Sequence, residues 1–142
     1  MARDVFVDTS GFYALIVRGD DRHQQASRFL DEARRRKDRF MTTDYVLDET
    51  ATLLKAKHHG HLVPLLLDTV FSSAVCTVHW TDSERFQATA DFFLKHADRG
   101  WSFTDCLSFV VMGALRLTES LTKDDHFREA GFLPLLADAS LI

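Results

Sequence analysis

The sequence predicts an α/β protein built as three layers, α/β/α, around a central parallel sheet of about five strands. Two observations carry this reading. Short β-suited runs alternate with longer stretches of helical periodicity along the chain, the pattern of a sheet covered by helices on both faces. No repeat, low-complexity tract or Pro/Gly-rich linker interrupts the alternation, and the two prolines are isolated. A third observation, the placing of acids where apolar runs stop, bears on what the sheet is for.

Taken in order, FVD at 6–8 reads as the first strand, and residues 22–36 as a helix with Ala26, Phe29, Leu30 and Ala33 at helical spacing. RFMTT at 39–43 is the second strand, and TTDYVLDETATLLK at 42–55 leads into a helix that buries Val46, Thr50, Leu53 and Leu54. AVCTV at 74–78 is the third strand. The clearest apolar stripe follows, on Phe86, Ala90, Phe93, Leu94 and Ala97, with Asp, Lys and Gln between. WSFTDCLSFVVMGAL is apolar nearly all round and so predicts a buried helix. SLT at 120–122 and FLPLL at 132–136 complete the sheet. Pro134 cannot donate to a ladder, which puts the last strand at an edge.

A chain of 142 residues, 46% of them hydrophobic, suits one compact domain spanning 1–142. The longest apolar runs, LVPLLL at 62–67 and LSFVVMGAL at 107–115, fall short of the ~20 residues that cross a bilayer. MARDVFVD lacks the apolar core of a signal peptide, so the expected location is cytoplasmic. Cys76 and Cys106 sit in apolar contexts without a CxxC pair, which predicts buried reduced thiols. A formal charge of −4 excludes a protein that coats nucleic acid through sheer positive charge. It leaves room for a nucleic-acid enzyme whose own acids bind cations, since two divalent ions would bring the sum near zero.

Four acids stand out. Asp8 ends the first apolar strand, where open α/β sheets bind ligands and where an aspartate also serves as a helix cap. Glu49 falls roughly 40° from Leu53, on the margin of its helix's apolar stripe, and is expected to face inward while Asp48 faces water. Asp105 lies in the first turn of the buried helix and shares a face with Phe109 and Met112; Ser102 or Thr104 is available to cap in its place. In LTKDDHFREAGF, Asp124 is nearer the strand end and suits a ligand, whereas Asp125 suits a cap. Singly, each acid has an ordinary structural use. Together they converge on one edge of the sheet, where like charges require a cation. With no Cys or His counted among the donors, all-oxygen ligands favour Mg²⁺ or Mn²⁺, ions that activate water and stabilise a phosphate during phosphodiester cleavage.

VFVDTSGFYAL, TTDYVLDET, SFTDCLSFVVM and LTKDDHFREAGFLPLL occur in this order and span nearly the whole chain. On these motifs the sequence resembles the PIN-domain ribonucleases, and among them the VapC-type toxins of type II toxin–antitoxin pairs. The resemblance implies a PIN-like fold and metal-dependent endoribonuclease activity with Mg²⁺ or Mn²⁺, a metal-activated water attacking RNA. It also implies frequent homodimerisation and inhibition by a small antitoxin. Asp8, Glu49, Asp105 and Asp124 match the family's acidic quartet, both catalytic and metal-binding, and Thr9, Ser10, Thr104 and Thr122 fall beside them as hydroxyls that would orient the acids. Two rival readings within this frame are a standalone PIN nuclease outside any toxin–antitoxin pair and a non-catalytic RNA- or antitoxin-binding module with a vestigial pocket. An aspartyl-phosphate phosphatase would want an acid two residues after Asp8, where the chain has Ser10.

Other features have plainer uses. RRRKDR at 34–39 ends a helix, where cations suit the dipole and solvent, the alternative being a phosphate contact near the site. The histidines of KAKHHGH at 55–61 fall where a helix stops at Gly60 and lack regular ligand spacing. Trp80 and Trp101 suit packing more than base stacking. Phe12, Tyr13 and Leu15 suit either the core or a subunit contact.

Overall fold

The structure is a computed structural model that describes residues 2–137. Five strands form one parallel sheet: β1 (Asp4–Val7), β2 (Arg39–Thr43), β3 (Cys76–His79), β4 (Glu119–Leu121) and β5 (Leu133–Pro134). The helices are α1 (Thr9–Ile16), α2 (His23–Arg36), α3 (Asp44–Ala56), α4 (Val63–Ser72), α5 (Ser83–Lys95), α6 (Phe103–Leu115) and the short α7 (His126–Glu129). Each expected strand is present to within two or three residues, and the strand carrying Pro134 is at the edge. The α/β fold expected from the alternation is the one found.

The strand order is β3-β2-β1-β4-β5. From β1 the chain first winds outward through β2 and β3, then crosses back to β4 and β5 on the other side. That reversal places a topological switch point between β1 and β4, and a crevice opens beyond the carboxyl ends of strands at such a point. The register pairs Val7 with Leu121, so the next residues, Asp8 and Thr122, leave the sheet side by side. The crevice therefore follows from topology, and its first two occupants follow from register.

The core explains why β1 is central. Val5, Phe6 and Val7 are fully or almost fully buried, as a strand covered on both faces must be. Helix α6 is buried on most of its circumference through Cys106, Leu107, Phe109, Val111 and Met112. Phe127 sits edge-on to Phe109 at 4.9 Å between ring centres and tilted against Phe6 at 6.4 Å. These rings tie α6 and α7 to the middle of the sheet.

Three local expectations need correction. The stripe on α5 was expected to be buried, yet Phe86, Phe93 and Leu94 remain exposed, Leu94 at 70%, and only Thr89 is fully covered. Phe86 and Phe93 rest on the single ring of Phe103, 5.1 and 5.6 Å away, so one neighbouring ring covers only part of a wide stripe. Helix α3 ends at Ala56, four residues before Gly60, because His58 itself adopts a left-handed conformation at φ 65°. On α3 the buried set is Val46, Leu47, Thr50 and Leu54. Substituting Leu47 for Leu53 turns the packed face by about 30° and leaves both Glu49 and Asp48 exposed. Glu49 does not face inward.

The arginine run closes α2 with Arg34, Arg35 and Arg36 in its last turn. It precedes β2 and so lies at the end of the sheet opposite the crevice. There Asp38, 2% exposed, accepts from the Arg3 backbone N–H at 2.8 Å and from Arg36 Nη2 at 2.8 Å. Burial pushes the Asp38 carboxyl up, but the bonds from Arg36 and Arg3 outweigh it and hold the group below its ordinary value. Trp101 is buried and donates its indole N–H to Glu129, whereas Trp80 is exposed and stacks on Phe71.

Helix α1 approaches β4 closely only because residue 11 is glycine. A Cβ there would run into the carbonyl oxygen of Leu121, a backbone atom in mid-sheet that cannot step aside. Gly11→Ala is expected to destabilise the fold by about 1–3 kcal/mol or more, as overpacking does, and to lower the urea midpoint in equilibrium unfolding. A midpoint equal to wild type would show that α1 can shift without cost.

Candidate active site

Asp8 occupies the N-cap position of α1 but makes no side-chain capping bond. Its carboxylate instead accepts from Thr122 Oγ1 at 2.9 Å. Thr122 has a single hydroxyl proton and gives it to Asp8. Its oxygen must therefore be the acceptor for Ser10 Oγ at 3.0 Å, and it also receives the Asp124 backbone N–H at 3.0 Å. Ser10 Oγ in turn accepts from the Lys123 N–H at 2.9 Å. A directed chain thus runs from the Lys123 amide through two hydroxyls to Asp8, each bond polarising the next. Of the four hydroxyls expected beside the acids, Ser10 and Thr122 hold Asp8 in this way. Thr104 offers only its carbonyl, to Ser108. Thr9 is buried with its Oγ1 unpartnered.

Asp105 is in the first turn of α6, where Ser102 accepts the Asp105 N–H at 3.0 Å and Asp105 Oδ2 accepts the Ser102 N–H at 3.1 Å. This reciprocal capping box fixes the carboxylate on one oxygen. Asp105 is therefore a cap as well as a pocket residue. Asp124 Oδ1 accepts the His126 N–H at 2.9 Å and so is oriented by the start of α7. Asp125 has the N-cap position of α7 without a side-chain capping bond, and pairs with Arg128 at 3.0 Å.

The structure brings one donor atom each from Asp105, Asp124 and His126 within 4.8 Å of one another. His126 Nδ1 is 3.1 Å from Asp105 Oδ2 and 3.5 Å from Asp124 Oδ1. Asp8 lies outside this trio; the Thr122 hydroxyl links it to the Asp124 backbone, and the charge of Asp105 acts on it. Glu49 also stands outside the trio, exposed on α3, yet near enough for its charge to act on Asp8. A histidine in the cluster corrects the all-oxygen donor set. The signal was present in the DDHF run, where His126 follows Asp124 by two residues. The histidines at 58, 59 and 61 form no such group among the described residues.

The electrostatics separate Asp8 from Asp38, a buried acid at the other end of the sheet. Asp38 has Arg36 and Arg3. Asp8 is 4% exposed and, among the described residues, has no Lys or Arg in an ion pair with it. Burial pushes its carboxyl up to about 7, only partly offset by the bonds from Thr122 and the Thr9 backbone, and the charges of Asp105 and Glu49 push the same way. Burial likewise raises Asp124. His126 is drawn above its ordinary value because the bond to Asp105 and the nearby acids outweigh its own burial. Lys123, next to Asp124 in sequence, is already committed to Asp20 and Asp21 at 2.8 and 3.0 Å. A buried acid without a counter-charge, two further acids and an orphaned Thr9 hydroxyl fit a divalent cation. Asp105, Asp124, Asp8 and Glu49 are the oxygen donors available to hold it.

The sign of the pH effect follows. Between 3.8 and about 7 the folded protein keeps a proton on Asp8 that the unfolded chain has lost. Stability from this group therefore falls as pH rises through that window in chelator-treated protein. Asp8→Asn removes the penalty and is expected to raise the melting temperature at pH 8 by roughly 3–10 °C, at about 3 °C per kcal/mol for this size. Added Mn²⁺ should raise the wild-type value more at pH 8 than at pH 5. Calorimetric scans of both proteins check this, and an Asp8→Asn melting temperature at or below wild type at pH 8 would contradict it.

Comparison with known proteins agrees with this architecture. The PIN domain family model matches residues 5–133. The chain is 32% identical over 129 residues to the 23S rRNA-specific endonuclease VapC20 of Mycobacterium tuberculosis, covering 91% of this chain and 95% of that protein. It is 30% identical over 123 residues to a VapC ribonuclease of Archaeoglobus fulgidus, covering 85% and 77%. The crystal structure of M. tuberculosis VapC20, described as a Sarcin-Ricin loop cleaving toxin, superposes with a TM-score of 0.80 at 31% identity over 91% of this chain and 96% of that one. With its sheet order, its acids at the switch point and these likenesses in agreement, the chain belongs to the PIN-domain family.

Proposed function

We propose that this protein is a VapC-like endoribonuclease that hydrolyses RNA phosphodiester bonds in the crevice between β1 and β4, using Mg²⁺ or Mn²⁺. The observation that carries the reading is Asp8, a carboxylate buried at the switch point without a counter-charge, beside Asp105 and Asp124. Its relatives are named as a 23S rRNA-specific endonuclease and a ribonuclease, which supports the same reaction class. The acids Asp8, Glu49, Asp105 and Asp124 would hold the ion, with Ser10 and Thr122 fixing Asp8 and the capping bonds fixing Asp105 and Asp124. When bound, the ion supplies Lewis acidity that makes water a better nucleophile and offsets charge on the scissile phosphate.

The chain's own groups set how the reaction is positioned. Capping bonds at two helix starts hold Asp105 and Asp124 in place before substrate arrives, so little reorganisation is needed at the moment of reaction. The polarised hydroxyl chain keeps Asp8 hydrogen-bonded within a buried setting. Glu49, on the exposed face of α3, is the acid most accessible to water and to an incoming RNA strand. We assign Thr9 and Thr104 to the periphery of the site. Ribosomal RNA is the first substrate to test, since one relative is named for cutting it. The working partners are a second copy of the chain and a small inhibitory protein, both taken from the family resemblance, in a cytoplasmic setting. The whole chain would act as a single PIN domain.

Asp8→Asn and Asp105→Asn are each expected to reduce cleavage of purified ribosomal RNA by at least roughly 100-fold in Mn²⁺-supplemented buffer. Chelation should abolish wild-type cleavage and added Mn²⁺ restore it. Full activity in either variant would overturn the assignment of the crevice as the active site.

A further inference from the structure

We propose that His126 is a direct metal ligand through Nδ1, giving the site a mixed oxygen and nitrogen donor set that favours first-row transition ions over Mg²⁺. The proposal rests on the reading of the acidic crevice as a metal site, and goes beyond it by adding a donor outside the four acids.

The geometry carries it. Nδ1 is the ring nitrogen that faces both carboxylates, 3.1 Å from Asp105 Oδ2 and 3.5 Å from Asp124 Oδ1. Around a six-coordinate ion with bonds of about 2.1 Å, neighbouring donors lie about 3.0 Å apart and opposite ones about 4.2 Å. The three donor atoms fall within 4.8 Å of one another, so one coordination sphere takes all three with small adjustments. Each donor is held in place by the fold, and Asp124 and the imidazole share the start of α7. Asp105 is held by the Ser102 N–H, Asp124 by the His126 N–H, and the imidazole is carried by the first residue of α7, whose Phe127 is anchored in the core.

The chemical consequence is selectivity. Carboxylates serve Mg²⁺ and Mn²⁺ alike, whereas an imidazole nitrogen adds affinity along the series from Mn²⁺ towards the later ions and gives little to Mg²⁺. A histidine that only hydrogen-bonds Asp105 would orient that ligand and strengthen all divalent ions to a similar degree. The two roles therefore differ in a ratio of affinities as well as in spectroscopy.

The test is electron spin-echo envelope modulation of Mn²⁺-loaded full-length protein, with calorimetric titration of Mn²⁺, Co²⁺ and Mg²⁺ into wild type and His126→Gln. Direct ligation gives modulation from a coordinated imidazole ¹⁴N that disappears in His126→Gln. The variant should also lose roughly 10-fold or more in Mn²⁺ and Co²⁺ affinity while Mg²⁺ changes much less. Because the spectrum is recorded on wild type, the outcome does not hinge on the variant folding, and His126→Asn serves as a second substitution. Mn²⁺ bound without nitrogen modulation, or equal losses for all three ions, overturns ligation by His126 and leaves the carboxylate site standing. Failure of wild type to bind Mn²⁺ at all overturns both this proposal and the metal-dependent reading on which it rests.

Discussion

The Thr122 hydroxyl is the point on which the site depends. It gives its proton to Asp8, takes one from Ser10 and accepts the Asp124 N–H, so one atom joins the end of the central strand, the first turn of α1 and the loop after β4. None of these meetings is possible unless Val7 and Leu121 are in register and α1 lies against β4, which Gly11 allows. The cost of the arrangement is a carboxylate kept from water with no Lys or Arg paired to it among the described residues. At the opposite end of the sheet Asp38, just as buried, is given two arginines. The contrast between these two aspartates separates an acid whose charge the fold neutralises from one left to hydrogen bonds alone.

Much of this was legible in the sequence because the relevant signals are short-range. Strand runs and Pro134 gave the sheet and its edge, since β geometry demands extended apolar residues and an N–H at each interior ladder position. Asp8, Asp105 and Asp124 stood out because each lies at an element end, where side chains project beyond the sheet. Glu49 was misjudged in orientation because a helical stripe read from four residues has an uncertain centre, and exchanging Leu53 for Leu47 is enough to turn the glutamate outward. The half-open stripe on α5 illegibly depended on what would pack against it. Periodicity shows that a helix has an apolar face, but the breadth of the neighbour that covers it is a property of tertiary structure.

His126 shows the same limit from the other side. In sequence it simply follows Asp125, but the short α7 turns its ring back towards a residue 21 positions earlier in the chain. Asp105 was expected to be released from capping by Ser102, and the structure shows both residues sharing the task. The sequence motif marks where the acids are; the capping bonds determine how each carboxylate is oriented.

The strand order also has a consequence in time. Residues 4–8 leave the ribosome before the other strands, but the neighbour that completes the central strand's second edge is β4, at residues 119–121, with Thr122 and Asp124 immediately after it. Chain synthesis proceeds from the N-terminus, so a nascent chain that has reached α6 holds Asp8, Glu49 and Asp105 without the hydroxyl that fixes the first or the acid that accompanies the third. Doubly wound topology with its switch point at β1 thus keeps the crevice unassembled through most of translation. The acids and hydroxyls of the candidate site come together only when the fourth strand emerges.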